Sequence, residues 1–308
     1  MKHSFSLELP AGYRVQDVLA FHSRDAESVA EQVGPEALRK GMLLDGVPVA
    51  LGIALPQDGM RGVTSCEADI DLPRARKVPP PLAVRIEAAA RNILGLHIDP
   101  APFVAFARGD ALLGPLVARQ PGLRIVQSAT VFEALTWAII GQQINLPFAI
   151  ALRRTFILQA GRQHQDGLWC YPEAADVARL DVEDLTSRKF SRAKAETLIR
   201  FAQLVAAGEL DIEERADNPI PAICKNLLAV KGIGPWTVNY ALLRGYGYAD
   251  CSLHGDVAIR AALQRLLGED SKPDMARTEQ ILQRWQPHRT MAAAHLWASL
   301  ADRPNESA

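Results

Sequence analysis

The stretch Leu227-Leu228-Ala229-Val230-Lys231-Gly232-Ile233-Gly234-Pro235-Trp236-Thr237-Val238 decides the fold of this chain. An amphipathic run ends at Val230, a Gly-x-Gly turn follows, and a second helix opens with Pro235 in its first turn, where proline is tolerated. Glycines let the backbone come close to a ligand and point its N–H groups outward. The start of a helix adds amides that no intrahelical carbonyl satisfies, and together these suit a phosphate. Taken alone, the pattern equally suits a tight turn between two packed helices. It is a poor dinucleotide loop, because a helix precedes it and no βαβ unit surrounds it.

On both sides of this turn the pattern stays helical. Thr130-Val131-Phe132-Glu133 has the capping-box form and leads into an apolar run over 131–140. Helical spacing recurs at 149–159, 192–207, 221–230, 236–244, 257–267, 277–285 and 291–300, with no strand-like alternation expected after about Asp99. The first hundred residues read differently. Ser4 to Leu9 alternates and stops at Pro10; Met42-Leu43-Leu44, the turn pair Asp45-Gly46 and 47–55 read as a hairpin; 65–72 alternates and stops at Pro73. Helical patches are expected at 15–23 and 26–33, and Pro79-Pro80-Pro81 opens a helix ending near Leu94. The fold class expected is α+β: an amino-terminal antiparallel sheet with helices over 1–98, then an all-α helix-hairpin-helix domain over 99–308. The latter divides into two helical subdomains, 131–248, and 99–130 with 249–308.

Bulk properties exclude little. Of 308 residues, 48% are hydrophobic and 22% charged, ordinary values for a globular protein. No apolar run reaches the length of a membrane span. The start, Met1 to Ser6, leads straight into alternation and lacks a signal-peptide core. Cys66, Cys170, Cys224 and Cys251 form no CxxC pair, which argues against a zinc or iron-sulfur site and for a reduced, cytoplasmic protein. Net charge is -1, so any phosphate-binding surface must be local. The densest basic stretch, Arg188 to Lys194, reads as a solvated helix start that could also contact phosphates, with no residue of it assigned to the site, and no histidine has metal-ligand spacing.

Asp256 closes the loop Leu253-His254-Gly255-Asp256, just ahead of a helical pattern ending at Gly268. By itself it is a helix N-cap. Its distance from the hairpin is what changes its weight, since it stands 20 residues beyond Trp236 (256 − 236).

Hairpin, loop and aspartate at that separation resemble the helix-hairpin-helix DNA glycosylase superfamily. Within it the chain looks like the DNA-3-methyladenine glycosylase II family, from the amino-terminal strand to near Trp297. The supporting stretches are Leu19-Ala20-Phe21, 132–142 with Gly141-Gln142, Arg192 to Glu196, Trp236 to Tyr240, Arg244-Gly245, Trp285 to Arg289 and His295-Leu296-Trp297. The resemblance implies hydrolysis of the N-glycosidic bond of alkylated purines such as 3-methyladenine in duplex DNA. The damaged base would be flipped out and an abasic site left behind.

It also implies roles. Asp256 is the catalytic carboxylate: heterolysis builds positive charge on the sugar, which a fixed carboxylate stabilises, and an alkylated purine is cationic and leaves with little acid catalysis. Trp236 stands where lyase-type members carry a Schiff-base lysine, and Lys231 does not match that place, so a monofunctional enzyme is implied. Trp236, Tyr240, Trp297 and Phe21 are the expected base-binding aromatics, offering stacking and cation–π attraction. Gly232, Gly234, Thr237 and Gln143 are the expected DNA contacts. Two positions depart from the family. Val257 follows the aspartate where the relative has an aromatic, and Gln143 stands where it inserts a leucine wedge. No metal or cofactor is expected, though the family's hairpin can hold a monovalent cation through backbone carbonyls. The expected state is a monomer acting on double-stranded DNA, with no membrane attachment. Two other readings stay open: a non-catalytic DNA-binding hairpin module, and a glycosylase for mismatched or oxidised bases.

Overall fold

The computed structural model describes residues 1–56, 62–72 and 77–301. Pro73, the expected strand stop, lies outside them. Five antiparallel strands form the amino-terminal sheet: β1 (Lys2–Leu9), β2 (Glu31–Gly34), β3 (Ala37–Leu44), β4 (Val47–Ala54) and β5 (Gly62–Ile70), in the order β1-β5-β4-β3-β2. Alternation over β1 and β5 does what it predicts, burying Leu7 and Leu9 with Thr64, Cys66, Ala68 and Ile70. Asp45 (φ 52°) and Gly46 (φ 73°) make the β3–β4 turn, as the Asp-Gly pair predicts. Helices α1 (Val15–His22) and α2 (Pro80–Ile93) contribute Val15, Val18, Leu19, Leu82, Ile86, Ala90 and Ile93 to the same core.

One expected helix is a strand. Residues 26–33 do not form a helix: the segment turns at Ser28 (φ 51°) and runs into β2, where Glu31 lies opposite Lys40 of β3. That pair, not local propensity, decides its conformation.

The described residues that follow are mostly helical: α3 (Ala101–Ala107), α4 (Leu113–Ala118), α5 (Val131–Gly141), α6 (Leu146–Ala160), α7 (Ala174–Val177), α8 (Val182–Thr186), α9 (Arg192–Ala206), α10 (Ile220–Leu228), α11 (Pro235–Ala241), α12 (Val257–Leu267), α13 (Met275–Gln283) and α14 (Arg289–Ser299). None is long and apolar enough to cross a membrane among the described residues. The apolar α5 lies at the centre, burying Phe132, Leu135, Ile139 and Ile140. Thr130 caps it by accepting from the Glu133 N–H (3.1 Å), but Glu133 does not return the bond to Thr130 as a capping box would. Its carboxylate accepts instead from Ala129 N–H (3.1 Å) and from buried cations.

Strand pairing does occur after Asp99, contrary to the sequence expectation. The two-residue strands β6 (Arg162–Gln163) and β7 (Trp169–Cys170) form a ribbon, and Tyr171 bridges Met42 where β2 no longer covers β3. Tyr171 N–H donates to Gly41 O (3.1 Å) and Leu43 N–H to Tyr171 O (3.0 Å), so the helical part closes the open edge of the sheet. Gly41 is required there, because a Cβ would lie 2.1 Å from Trp169 O.

Four charged side chains lock the two parts together. Lys40 and Glu31 come from the sheet, Glu133 and Arg153 from α5 and α6. Lys40 Nζ lies 2.6 Å from Glu31 Oε1 and 2.8 Å from Glu133 Oε1, and Arg153 Nη2 repeats those two distances. Lys40, Glu31 and Glu133 are buried. The Arg153 guanidinium also sits over the Tyr171 ring, 5.1 Å from its centroid.

Candidate active site

The hairpin forms as expected. Helix α10 ends at Leu228 and α11 begins at Pro235 with Gly234 as its N-cap. Gly232 has φ +92°, a conformation that favours glycine, and an added Cβ would meet Thr197 Oγ1 at 2.1 Å. Lys231, Gly232 and Pro235 are exposed, whereas Val230 and Ile233 anchor the turn in the core. After α11 the chain continues through a π-helical turn, Leu242–Tyr246, and Gly247 at φ 63° starts the return loop.

That return loop is pinned at several points. Asn239 Oδ1 accepts from Ser252 N–H (3.0 Å), Thr290 Oγ1 accepts from Cys251 N–H (3.0 Å), and Arg289 Nε lies 2.7 Å from Asp250 Oδ1. Asp256 emerges with its carboxylate already engaged. Oδ1 caps α12 by accepting from Ile259 N–H (2.9 Å) and accepts also from Trp297 Nε1 (3.2 Å), while Oδ2 accepts from Trp236 Nε1 (3.0 Å). The cap and the candidate catalytic carboxylate are therefore the same group. Such donors hold the carboxylate in place.

The carboxylate opens on a cleft of about 1030 Å³. Its lining includes Trp137, Tyr240, Trp236, Trp297, Asp256 and Val257, together with the hairpin glycines Gly232 and Gly234 and the loop Gly141 to Leu146. Tyr240 packs on Trp236 at 5.2 Å and on Trp297 at 6.1 Å between ring centroids, and its hydroxyl accepts from Trp137 Nε1 (2.9 Å). Both tryptophans expected to bind a base thus also hold Asp256. Val257 also lines the cleft and is 62% exposed.

Two expected contacts are placed differently. Phe21 does not line this cleft among the described residues; its ring lies between two guanidiniums, Arg24 at 4.3 Å and Arg244 at 4.8 Å. Thr237 is buried, and its hydroxyl accepts from Gln142 Nε2 (2.8 Å), which also donates to Gly232 O (2.9 Å). Its side chain supports the hairpin from behind and does not face outward.

Gln143 stands as expected, exposed at the tip of its loop with φ +55°. What holds that loop was not legible from the sequence. Lys194, in the basic stretch set aside as solvated, donates Nζ to Ile140 O (2.6 Å) and Gln142 O (3.1 Å). Burial lowers its pKa. The hairpin, the Gln143 loop and α9 are thereby tied into one unit. Trp137, Gln142, Lys194, Arg24 and Arg244 are site residues that pattern reading missed as such. For Trp137, Gln142, Lys194 and Arg244 the only signal was their place in stretches shared with a family.

Residues 136–288 match the family described as HhH-GPD superfamily base excision DNA repair protein. Over 208 residues the chain is 33% identical to the DNA-3-methyladenine glycosylase of Bacillus subtilis strain 168, spanning 67% of this chain and 69% of that one. This chain belongs to the HhH-GPD superfamily. It spans about two thirds of the length of the two Bacillus subtilis relatives it matches, 65% and 69%. The HhH-GPD fold extends to solved structures: a 3-methyladenine DNA glycosylase from Archaeoglobus fulgidus superposes with a TM-score of 0.78 at 22% identity, covering 96% of this chain and 97% of that one. The Schizosaccharomyces pombe 3-methyladenine DNA glycosylase in complex with abasic DNA gives 0.57 at 22% identity, covering 65% of this chain and 97% of that one.

Among the described residues no group of three or more His, Cys, Asp or Glu could hold a metal ion. In the HhH-GPD hairpin, the carbonyls of Leu227, Val230, Lys231 and Gly232 already accept hydrogen bonds from within the protein. A monovalent cation would share acceptors already in use.

Proposed function

We propose that this chain is a monofunctional DNA N-glycosylase that removes N-alkylated purines such as 3-methyladenine from duplex DNA by base flipping. The observation that carries the reading is the Asp256 carboxylate, held by two indole N–H groups and a backbone amide at the mouth of an aromatic cleft beside the hairpin. The hairpin glycines approach a backbone phosphate while Gln143 enters the space vacated by the base. Flipping costs a few kcal/mol of unstacking and unpairing, and a filled gap offsets part of it. Gln143 can also hydrogen-bond the orphaned partner base.

The C1′–N bond then breaks with its electron pair going to the base. A cationic alkylpurine leaves neutral, and the sugar becomes oxocarbenium-like. Asp256 faces that charge and orients the water whose oxygen adds to C1′, taking up the proton the water loses. An abasic site remains. Trp236 carries no amine, so no Schiff base forms at its position. No step uses a cation at the hairpin.

Incubation of the protein with methylated duplex DNA, with free bases resolved by chromatography, tests this reading. Release of 3-methyladenine without strand cleavage is expected. Salt-sensitive duplex binding with no released base would instead assign a non-catalytic DNA-binding module, and strand cleavage would restore a lyase step.

The loop clamp carries its own prediction. Lys194→Met removes a charged donor from two carbonyls at the end of α5, a loss of about 1–3 kcal/mol. Urea denaturation should read that loss. The fluorescence of 2-aminopurine placed beside the lesion should report slower flipping, and Lys194→Arg should restore most of it.

A further inference from the structure

Two cations sit where an electron-rich lining for a cationic base was expected. Arg24 follows α1 in the sheet domain, and Arg244 lies in the π-helical turn after α11; both line the cleft. Neither guanidinium has a carboxylate within ion-pair distance among the described residues. Arg244 donates Nη1 to Val126 O, and its buried Nε has no partner. Arg24 is solvent-exposed as a residue, but its head group is crowded: desolvation first, and then the Arg244 charge, bring its pKa down to about 10. Desolvation also lowers that of Arg244. A guanidinium is not deprotonated in a folded protein at neutral pH, so both groups are cations.

Their position relative to Asp256 follows from a continuous stack. Arg24 lies over Phe21 at 4.3 Å, Phe21 under Arg244 at 4.8 Å, and Arg244 over Trp297 at 5.3 Å, while Trp297 Nε1 reaches Asp256. The Arg244 guanidinium is therefore one indole away from the carboxylate. Indole and purine are both fused five- and six-membered bicycles. A purine lying along Trp297 with its glycosidic nitrogen toward Asp256 brings its six-membered ring, and the substituent at C6, to the arginines.

A guanidinium only donates hydrogen bonds. A carbonyl oxygen at C6 accepts from it, as in the arginine–guanine contact common in DNA recognition. A 6-amino group presents donors to donors. Because an alkylated purine is itself cationic, two guanidiniums without a carboxylate counter-charge oppose it unless an acceptor atom offsets the repulsion. We propose that Arg24 and Arg244 read the C6 position of the flipped base, so that N-alkylated guanine is favoured over N-alkylated adenine carrying the same methyl group. This rests on the glycosylase reading above.

The test compares release of 3-methylguanine and 3-methyladenine from DNA treated with dimethyl sulfate, for the wild-type full chain, Arg24→Gln and Arg24→Lys. The two bases carry their methyl on the same nitrogen, so their ratio isolates recognition of the other ring positions. Arg24 is exposed, and circular dichroism checks that each variant is folded. The 3-methylguanine to 3-methyladenine rate ratio is expected to fall about tenfold in Arg24→Gln, with Arg24→Lys between it and wild type. A ratio unchanged within about twofold, or an equal change in both rates, overturns the proposal while leaving the glycosylase reading intact. Release of neither base by the wild type overturns the glycosylase reading itself.

Discussion

Asp256→Asn is expected to lower single-turnover base release by about 100- to 1,000-fold, the scale on which a preorganised electrostatic group acts on a developing charge. The substitution is nearly isosteric. Asparagine caps helices as well as aspartate does, so its oxygen can keep the Ile259 N–H and Trp297 Nε1 bonds that Oδ1 now accepts. Its amide nitrogen would face Trp236 Nε1, donor to donor, where the carboxylate accepts at 3.0 Å. Trp236 is only half-buried and water can reach it, so the stability loss should stay near 1 kcal/mol. Affinity for abasic duplex should be almost unchanged, because the hairpin and the Gln143 loop are untouched. Rapid-quench assays with methylated duplex, paired with mobility-shift titration, separate the two effects. Release at the wild-type rate would remove Asp256 from the chemistry.

The second large effect is on stability. Lys40→Met should cost about 3–5 kcal/mol, because it leaves two buried carboxylates facing one remaining cation. Urea unfolding followed by circular dichroism measures this. Burial alone would raise Glu31 and Glu133, but Arg153 and Lys40 hold Glu31 well below the usual carboxylate range, and Lys40 and Arg153 hold Glu133 below it. A depressed folded-state pKa stabilises the fold at pH values above the unfolded value, and that contribution is lost as pH falls through the folded one. Without Lys40 both depressions shrink, so acid unfolding should begin at higher pH in the variant than in wild type. The charge-balanced double variant Lys40→Met with Glu133→Gln should recover part of the loss.

How much of this is legible in the chain depends on the range of the interaction that decides each element. Long periodic segments such as α5, α9 and α12, and the Asp45-Gly46 hairpin, are decided locally, and pattern reading finds them. β2 is decided by Glu31 meeting Lys40 in register, so its short sequence reads as helix until that partner is placed. Tyr171 joins the sheet because β2 pairs with β3 only as far as Lys40 and leaves the backbone edge at Met42 to be paired. The site divides in the same way. Gly232, Gly234 and Asp256 are recognisable by kind and spacing. Lys194 serves carbonyls 52 and 54 residues away in sequence, and Trp137 serves a hydroxyl 103 residues away, distances over which no periodicity carries information. Trp236 and Trp297 were expected as stacking faces. That they also turn their N–H edges to the carboxylate depends on a loop returning from α11 to α12.

The four-charge lock also has a symmetry that bears on how such chains can change. The sheet side supplies one cation and one anion, Lys40 and Glu31, and the helical side another such pair, Arg153 and Glu133. Each side is electrically neutral and could close on its own salt bridge if the other were absent. For these four groups the seam can open over generations without stranding a net charge in either half, although the buried Asp25 of the sheet side would part from Arg154 of α6. The cost of trimming away the sheet side would also fall elsewhere, since Arg24 and Phe21 would leave with the sheet.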